Sequence, residues 1–277
     1  MTLALGFGTG AIMGRISRRQ GLAALERAYA AGIRHFDTAR SYGWGEAEGV
    51  VGEFLRGHAR EEIRVVTKCG ILPVRRSPLL SAAKSIARAA LAVAPGLRQA
   101  ARQVASADRF QPVHSVDPAR LAESLGTSLA ELGVSYVDLL LLHNFTAGMP
   151  GLGEVAAWFT DLKRQGTVRR FGYSVEGRLT EGLEFLDSNG LLAEAVVQAP
   201  VSDELLALPV RWRDVPFIVH APFDYLRRKS GLEFDDLLHR LDASLRCETV
   251  VCSMFDATHL AANVAAWKSL GVRAARA

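Results

Sequence analysis

The chain has 277 residues, 49% of them hydrophobic, and a formal net charge of +4. That is enough for one large core, and the mild charge gives no case for nucleic acid as a partner. Three cysteines (Cys69, Cys247 and Cys252) lack metal-ligand spacing, so no metal is expected. Their odd number speaks against a disulfide framework and for buried thiols in a reducing cytoplasm. Residues 1–14 are apolar but carry no basic leader region and are broken by Gly6, Gly8 and Gly10, a poor signal peptide. No run reaches the roughly 20 apolar residues that a membrane span needs.

In chain order, strand-like runs fall at residues 3–7, 33–36, 63–67, 136–142, 168–173, 194–198, 217–220 and 249–252. Helix-period segments separate most of them. Residues 18–31 repeat apolar side chains at Leu22, Leu25, Ala28 and Tyr29, and Gly32 stops the helix. Residues 117–132 open on an Asp117-Pro118 cap and carry Leu121, Leu125 and Leu129 on one face. Segments 155–164 and 256–270 are similar. Alternating strands and helices predict a parallel sheet with helices outside, and eight strands favour a single (β/α)₈ barrel domain over residues 1–277.

The interval between the third and fourth strands is far longer than the others. Its excess, residues 71–112, predicts an insertion in a βα loop above the barrel mouth. It holds seven basic residues, Arg75 and Arg76 among them, against the single acid Asp108, a local charge of +6. Leu79, Leu80, Ala83, Ile86, Ala87, Ala90 and Leu91 fit a helix with one apolar face, which Pro95-Gly96 breaks. The segment reads as a solvated excursion resting on the barrel, as a basic lid attracting anionic ligands, or as a membrane-surface helix.

Four polar residues stand at or just past the ends of strand-like runs: Asp37, Tyr42, Lys68 and His143. Each has an ordinary explanation alone: a turn, a packed loop aromatic, a snorkelling lysine, a hydrogen-bonded core histidine. Together they sit on the face where barrel enzymes keep their chemistry. Reducing a carbonyl takes a hydride, which no side chain supplies, and a proton at oxygen. A tyrosine can give that proton when an ammonium beside it favours the phenolate. Lys68 can be the ammonium, Asp37 the carboxylate that keeps it charged, and His143 the group that orients the substrate oxygen.

Several blocks resemble the aldo-keto reductases. Leu5-Gly6-Phe7-Gly8-Thr9-Gly10 is similar to that family's first strand. Ala30 through Ala39 (AAGIRHFDTA) with Tyr42-Gly43 is similar to its best-known signature. Val65-Val66-Thr67-Lys68 resembles its lysine strand, and Asp138 through His143 its histidine strand. Lys163 through Gly172 with Ser174 resembles its fifth-strand block. The resemblance implies a barrel that binds NADPH or NADH without a Rossmann fold, and a catalytic tetrad of Asp37, Tyr42, Lys68 and His143 with Tyr42 as proton donor.

It also implies cofactor contacts. Ser174 and Gln198 match positions that hold the nicotinamide carboxamide, and His220 matches the aromatic that stacks on the ring. Aligning Asn263 with the family's helix asparagine puts Ser253 and His259 where relatives selective for NADPH carry Lys and Arg. A 2′-phosphate would there lose two charge-assisted bonds, each about 1.5–3 kcal/mol. The amino-terminal hairpin and the long carboxy-terminal loop of many relatives are expected to be missing. A more open pocket is therefore expected, walled by the insertion, residues 10–13 with Met13, Trp44, and residues 145–149 with Phe145 and Met149.

The resulting expectation is an NAD(P)H-linked reductase of a small-molecule aldehyde or ketone, or the reverse. Alternatives are an NAD-linked sugar or polyol dehydrogenase of the same family and a cofactor-sensing regulatory protein on the same scaffold. A Schiff-base lysine enzyme built on Lys68 is a further class.

Overall fold

The computed structural model describes residues 3–73 and 113–274. Its strands in chain order are β1 (Ala4–Gly8), β2 (His35–Asp37), β3 (Arg64–Cys69), β4 (Ile71–Leu72), β5 (Val113–His114), β6 (Val137–Phe145), β7 (Val168–Val175), β8 (Val196–Pro200), β9 (Phe217–His220) and β10 (Cys247–Cys252). All but β4 and β5 form a closed barrel of eight, parallel at every pairing, with β1 sealed against β10 through Ala4↔Thr249 to Phe7↔Cys252. The expected (β/α)₈ barrel is the observed one.

Around it lie α1 (Arg18–Ala30), α2 (Ala47–Leu55), α3 (Pro118–Leu132), α4 (Leu152–Gln165), α5 (Leu179–Ser188), α6 (Asp203–Leu206), α7 (Pro222–Leu226), α8 (Phe234–Ser244) and α9 (Ala257–Ala274). Local chemistry sets their ends. Ser17 and Gln20 close a capping box at α1. Asp117 accepts a hydrogen bond from the Ala119 amide, Pro118 opens α3, and left-handed Gly133 ends it. Leu121, Leu125 and Leu132 of α3 are buried under the barrel wall, each burial stabilising by about 1.5–3 kcal/mol. No helix among the described residues is long and apolar enough to cross a membrane.

The core has two layers. The larger packs strands against helices; the smaller fills the inside of the barrel with Val66, Leu139, Leu141, Val196, Ile218 and Val251. Towards the amino-terminal ends of the strands, Arg170 of β7 reaches across to Glu248 of β10 in a two-pronged pair at 2.6 and 3.1 Å. Cys69, Cys247 and Cys252 are buried and free. Burial pushes the thiols of Cys69 and Cys247 up to about 12, so neither is a ready nucleophile.

Most strands run further at their carboxy ends than the apolar runs suggest. β6 continues through His143 to Phe145, and β7 through Ser174 to Val175. Apolar patterning ends at the first polar residue, whereas the ladder ends only where the neighbour leaves, here at Phe145↔Val175. Ile71 and Leu72 pair antiparallel with His114 and Val113, making a short ribbon above β3. The basic stretch with Arg75 and Arg76, its apolar face and the Pro95-Gly96 break lie outside the described residues.

Candidate active site

Strand geometry brings the polar residues together. Alternate residues of a strand share a face, and the barrel interior is marked by its apolar filling. Two residues beyond Val66 stands Lys68; beyond Leu141, His143; beyond Val196, Gln198; beyond Ile218, His220; beyond Val251, Ser253. Asp37 ends β2 and Ser174 lies near the end of β7. The inward face of the barrel thus delivers these side chains to one mouth.

At its centre Lys68 and Asp37 form a buried ion pair, Nζ to Oδ1 2.5 Å, with 2% and 4% of each residue exposed. Both ends are fully used. The ammonium also donates to the Thr38 carbonyl at 3.0 Å and to the Tyr42 hydroxyl at 3.4 Å. The second Asp37 oxygen accepts from Gln198 Nε2 at 2.7 Å, and the Gln198 carbonyl accepts from Ser174 at 3.1 Å. Burial works against the Lys68 charge, but the Asp37 carboxylate and Tyr42 outweigh it and hold the ammonium above its ordinary range. A lysine held charged is not the neutral amine a Schiff base requires. Because the phenol oxygen accepts from Lys68, its own hydrogen remains available to another oxygen.

His143 faces Tyr42 edge-on, ring centroids 5.8 Å apart at 79°. Burial, with the Lys68 cation adding, pushes it down to about 3, so the ring is neutral at ordinary pH. Its Nδ1 is buried without a partner among the described residues. His220 is lowered by the same two causes.

Tyr42 stands on a loop, not a strand. It opens a 3₁₀ turn, Tyr42–Gly45, in which Gly43 and Trp44 both take left-handed backbone at φ 59 and 64. A Cβ on Gly43 would lie 2.5 Å from the Ile12 carbonyl, so the turn accepts only glycine there. Trp44 has no such excuse, and its conformation costs roughly 1–2 kcal/mol.

A cavity of about 1410 Å³ runs from Asp37, Tyr42 and His143 past Ser174, Gln198 and His220 to Ser253, His259 and Asn263. Ordinary ligand pockets hold roughly 300–1,000 Å³, so this one has room for a dinucleotide and a small substrate together. Asn263 Nδ2 is a buried donor without a partner among the described residues, and the Ser174–Gln198 pair offers both donor and acceptor. These residues fit a nicotinamide dinucleotide.

The far end does not fit a 2′-phosphate as well. Ser253 is uncharged, and the His259 side chain is 79% exposed. Asp256 already caps α9, accepting from the Thr258 and His259 amides at 2.9 and 3.0 Å. An anion therefore stands where that helix would attract one.

A second cavity, about 380 Å³, shares His143 and is lined also by His114, Ser115, Thr146 and Met149. Of the expected pocket walls, Gly10 lines the first cavity and Met149 the second. Phe145 is a correction: it is wholly buried, packed on Tyr173 and Phe185 beneath α5, because the register shift between Leu142 and Phe145, at left-handed Asn144 (φ 53), turns it away from the barrel interior. Met13 and Trp44 line neither cavity. Met13 backs the Tyr42 turn, its Cβ 2.7 Å from where a Gly43 side chain would begin, and Trp44 lies 42% exposed. Sequence reasoning passed over Asn144, Arg15, Glu176, Asp224 and Arg227, which also line the large cavity. Asn144 adjoins His143, and Glu176 lies two residues past Ser174; Arg15, Asp224 and Arg227 gave no comparable signal.

Residues 4–223 match the model of the Aldo/keto reductase family. Among curated proteins, the chain is 24% identical over 270 residues to the NADH-specific methylglyoxal reductase of Escherichia coli, covering 85% of this chain and 75% of that one. It is 27% identical over 229 residues to D-threo-aldose 1-dehydrogenase from Pseudomonas, covering 73% and 60%. Two solved structures share the fold. An aldo-keto reductase from Bacillus halodurans in its holo form is 20% identical, with a TM-score of 0.67 over 95% of this chain and 85% of that one. An aldo/keto reductase from Klebsiella pneumoniae in complex with NADP and acetate is 21% identical, with a TM-score of 0.64 over 96% and 86%.

Proposed function

The chain belongs to the aldo/keto reductase family and is an NAD(P)H-dependent oxidoreductase; from that premise we propose that it reduces an aldehyde or ketone to an alcohol, with Tyr42 as proton donor and NADH as preferred cofactor. The carrying observation is the Lys68 ammonium, its three hydrogens directed at Asp37, Thr38 and Tyr42, beside a cavity large enough for cofactor and substrate.

The bound cofactor supplies the hydride to the carbonyl carbon. The protein's own residues handle the oxygen. Tyr42 gives its proton there, and the Lys68 charge stabilises the phenolate that remains. Neutral His143 offers its one N–H to the same oxygen and fixes which face of the carbonyl is presented. Asp37 keeps Lys68 charged, and Gln198 keeps Asp37 in place. Ser174, Gln198, His220 and Asn263 are the residues that would hold the cofactor.

Two features support NADH. The turn before α9 carries Ser253 and Asp256 and no lysine or arginine of its own, and the Arg27 guanidinium beside it is engaged on the Phe255 carbonyl at 2.9 Å; a relative along most of the chain is named as NADH-specific. Titrating both cofactors by tryptophan quenching should give tighter binding of NADH by roughly tenfold, the size of one lost charge-assisted bond. Equal or tighter NADPH binding would refute the preference. A second reading runs the same groups in reverse, as an aldose dehydrogenase, and is favoured by the similarity to D-threo-aldose 1-dehydrogenase.

The direct test is loss of NADH absorbance on adding small aldehydes and dicarbonyls, and its gain from NAD with aldoses. Tyr42→Phe should lower turnover at least about 10³-fold while cofactor affinity stays near wild type, because it deletes only the proton donor. Normal turnover in that variant would sink the assignment.

A further inference from the structure

We propose that Arg40 is a positioning residue for Tyr42, acting through the Gly45 carbonyl and anchored on Glu48. This rests on the reading of Tyr42 as proton donor.

Arg40 is buried two residues before Tyr42 and does not line the large cavity; its guanidinium meets Glu48 of α2 instead. One arm meets Glu48 Oε2 at 2.6 Å and another donates to the Gly45 carbonyl at 2.9 Å. Glu48, on α2, has no exposed surface at all. Its other oxygen accepts from Thr67 of β3 at 2.6 Å, and Oε2 accepts as well from Ser128 of α3 at 3.1 Å. Three elements therefore fix one carboxylate, and that carboxylate fixes the guanidinium.

The guanidinium in turn holds the far end of the Tyr42–Gly45 turn, whose two middle residues are both left-handed. A Cβ on Gly45 would stand 2.7 Å from the Arg40 guanidinium, so the two groups are in close contact. The same network grips the other partner of the phenol. Thr67 precedes Lys68 on β3, and the Arg40 amide donates to the Lys68 carbonyl at 3.3 Å. Tyr42 and Lys68 are thus held from one frame, and their own contact is long at 3.4 Å, where a small displacement removes it.

Stability alone is a poor reason for this arrangement. A buried ion pair gains little over apolar packing of the same volume, whereas a planar fork reaching two acceptors at fixed angles imposes geometry. Lysine could keep the charge against Glu48 but could not hold the Gly45 carbonyl in the same plane.

The test is Arg40→Lys in two backgrounds, reading single-turnover reduction at saturating NADH together with cofactor Kd and Tm. In the wild-type background the rate should fall about 30-fold, within the range that misplacements near 1 Å produce, with Kd changed less than about twofold. In Tyr42→Phe the same substitution should cause no further loss, because the group it positions is gone. Glu48→Gln, which keeps hydrogen bonds to Thr67 and Ser128 while releasing the guanidinium, repeats the cycle should Arg40→Lys not fold. An equal loss in both backgrounds, or none in the first, overturns the proposal. If Tyr42→Phe is inactive while Arg40→Lys turns over normally, only the positioning role fails. Normal turnover in Tyr42→Phe removes the proton-donor reading and this inference with it.

Discussion

The two sides of the barrel mouth are built to different standards. On the β2–β3 side, Asp37 and Lys68 are almost wholly buried, and each hydrogen-bonding position on them has a named partner. On the β10–α9 side, Ser253 and His259 are exposed, and Asn263 keeps a buried donor without a partner among the described residues. The contrast suits the tasks proposed for the two sides. Moving a proton requires charges fixed in advance in a medium that screens them weakly. Holding an adenosine end requires a shape and a few groups left open for it.

Lys68→Met breaks the comparison hardest. Removing the ammonium leaves Asp37 as a buried, uncompensated carboxylate and takes away the charge proposed to stabilise the Tyr42 phenolate. Turnover should fall by about 10³-fold or more, the size of general acid–base terms. The variant should also be less stable by about 3–5 kcal/mol, the usual result of stranding one member of a buried pair. Both are read from NADH consumption and a urea titration; a stable, active Lys68→Met would mean that the pair is ornamental.

On the open side the effects should be smaller and of the opposite sign. Ser253→Lys with Asp256→Asn adds a cation and removes an anion at the start of α9, and Asn keeps the cap. NADPH affinity relative to NADH should rise roughly tenfold to a hundredfold, with turnover on NADH almost unchanged. Unaltered selectivity would place the 2′-position of the cofactor elsewhere.

The same division decides how much could be read from the sequence. Asp37, Lys68 and His143 stand at the ends of short apolar runs, and the side-chain period of a barrel strand turns those ends to one inward face, so sequence and structure agree. Tyr42 was found by its block of neighbours, not by periodicity, for it sits on a turn whose left-handed backbone no apolar pattern announces. Arg40 and Glu48 were passed over entirely. Each looks like a surface charge until the fold places Thr67 and Ser128 beside Glu48. Phe145 was misplaced because regular alternation would put it on the face of His143, whereas the ladder shifts register between Leu142 and Phe145 at left-handed Asn144 and so reverses the face.

The interior of the closed side offers the finest test. His35, two residues below Asp37, is pushed down to about 4, chiefly by burial, with Asp37 opposing and Arg64 and Lys68 adding to it. Its Nδ1 lies 3.3 Å from the Thr249 hydroxyl, and its Nε2 has no partner among the described residues. An unfolded histidine protonates near 6.5. Between there and about 4 the unfolded chain binds a proton that the folded ring refuses, so stability falls as pH falls through that window and is flat for this group below it. From about pH 7 to about pH 5 the loss due to His35 should be about 2 kcal/mol. In His35→Asn, urea unfolding across the same interval should show a loss smaller by that amount, the remainder coming from His143 and other groups. If wild type and variant lose stability in parallel, His35 is not held neutral, and the barrel interior below the tetrad is wetter than its packing implies.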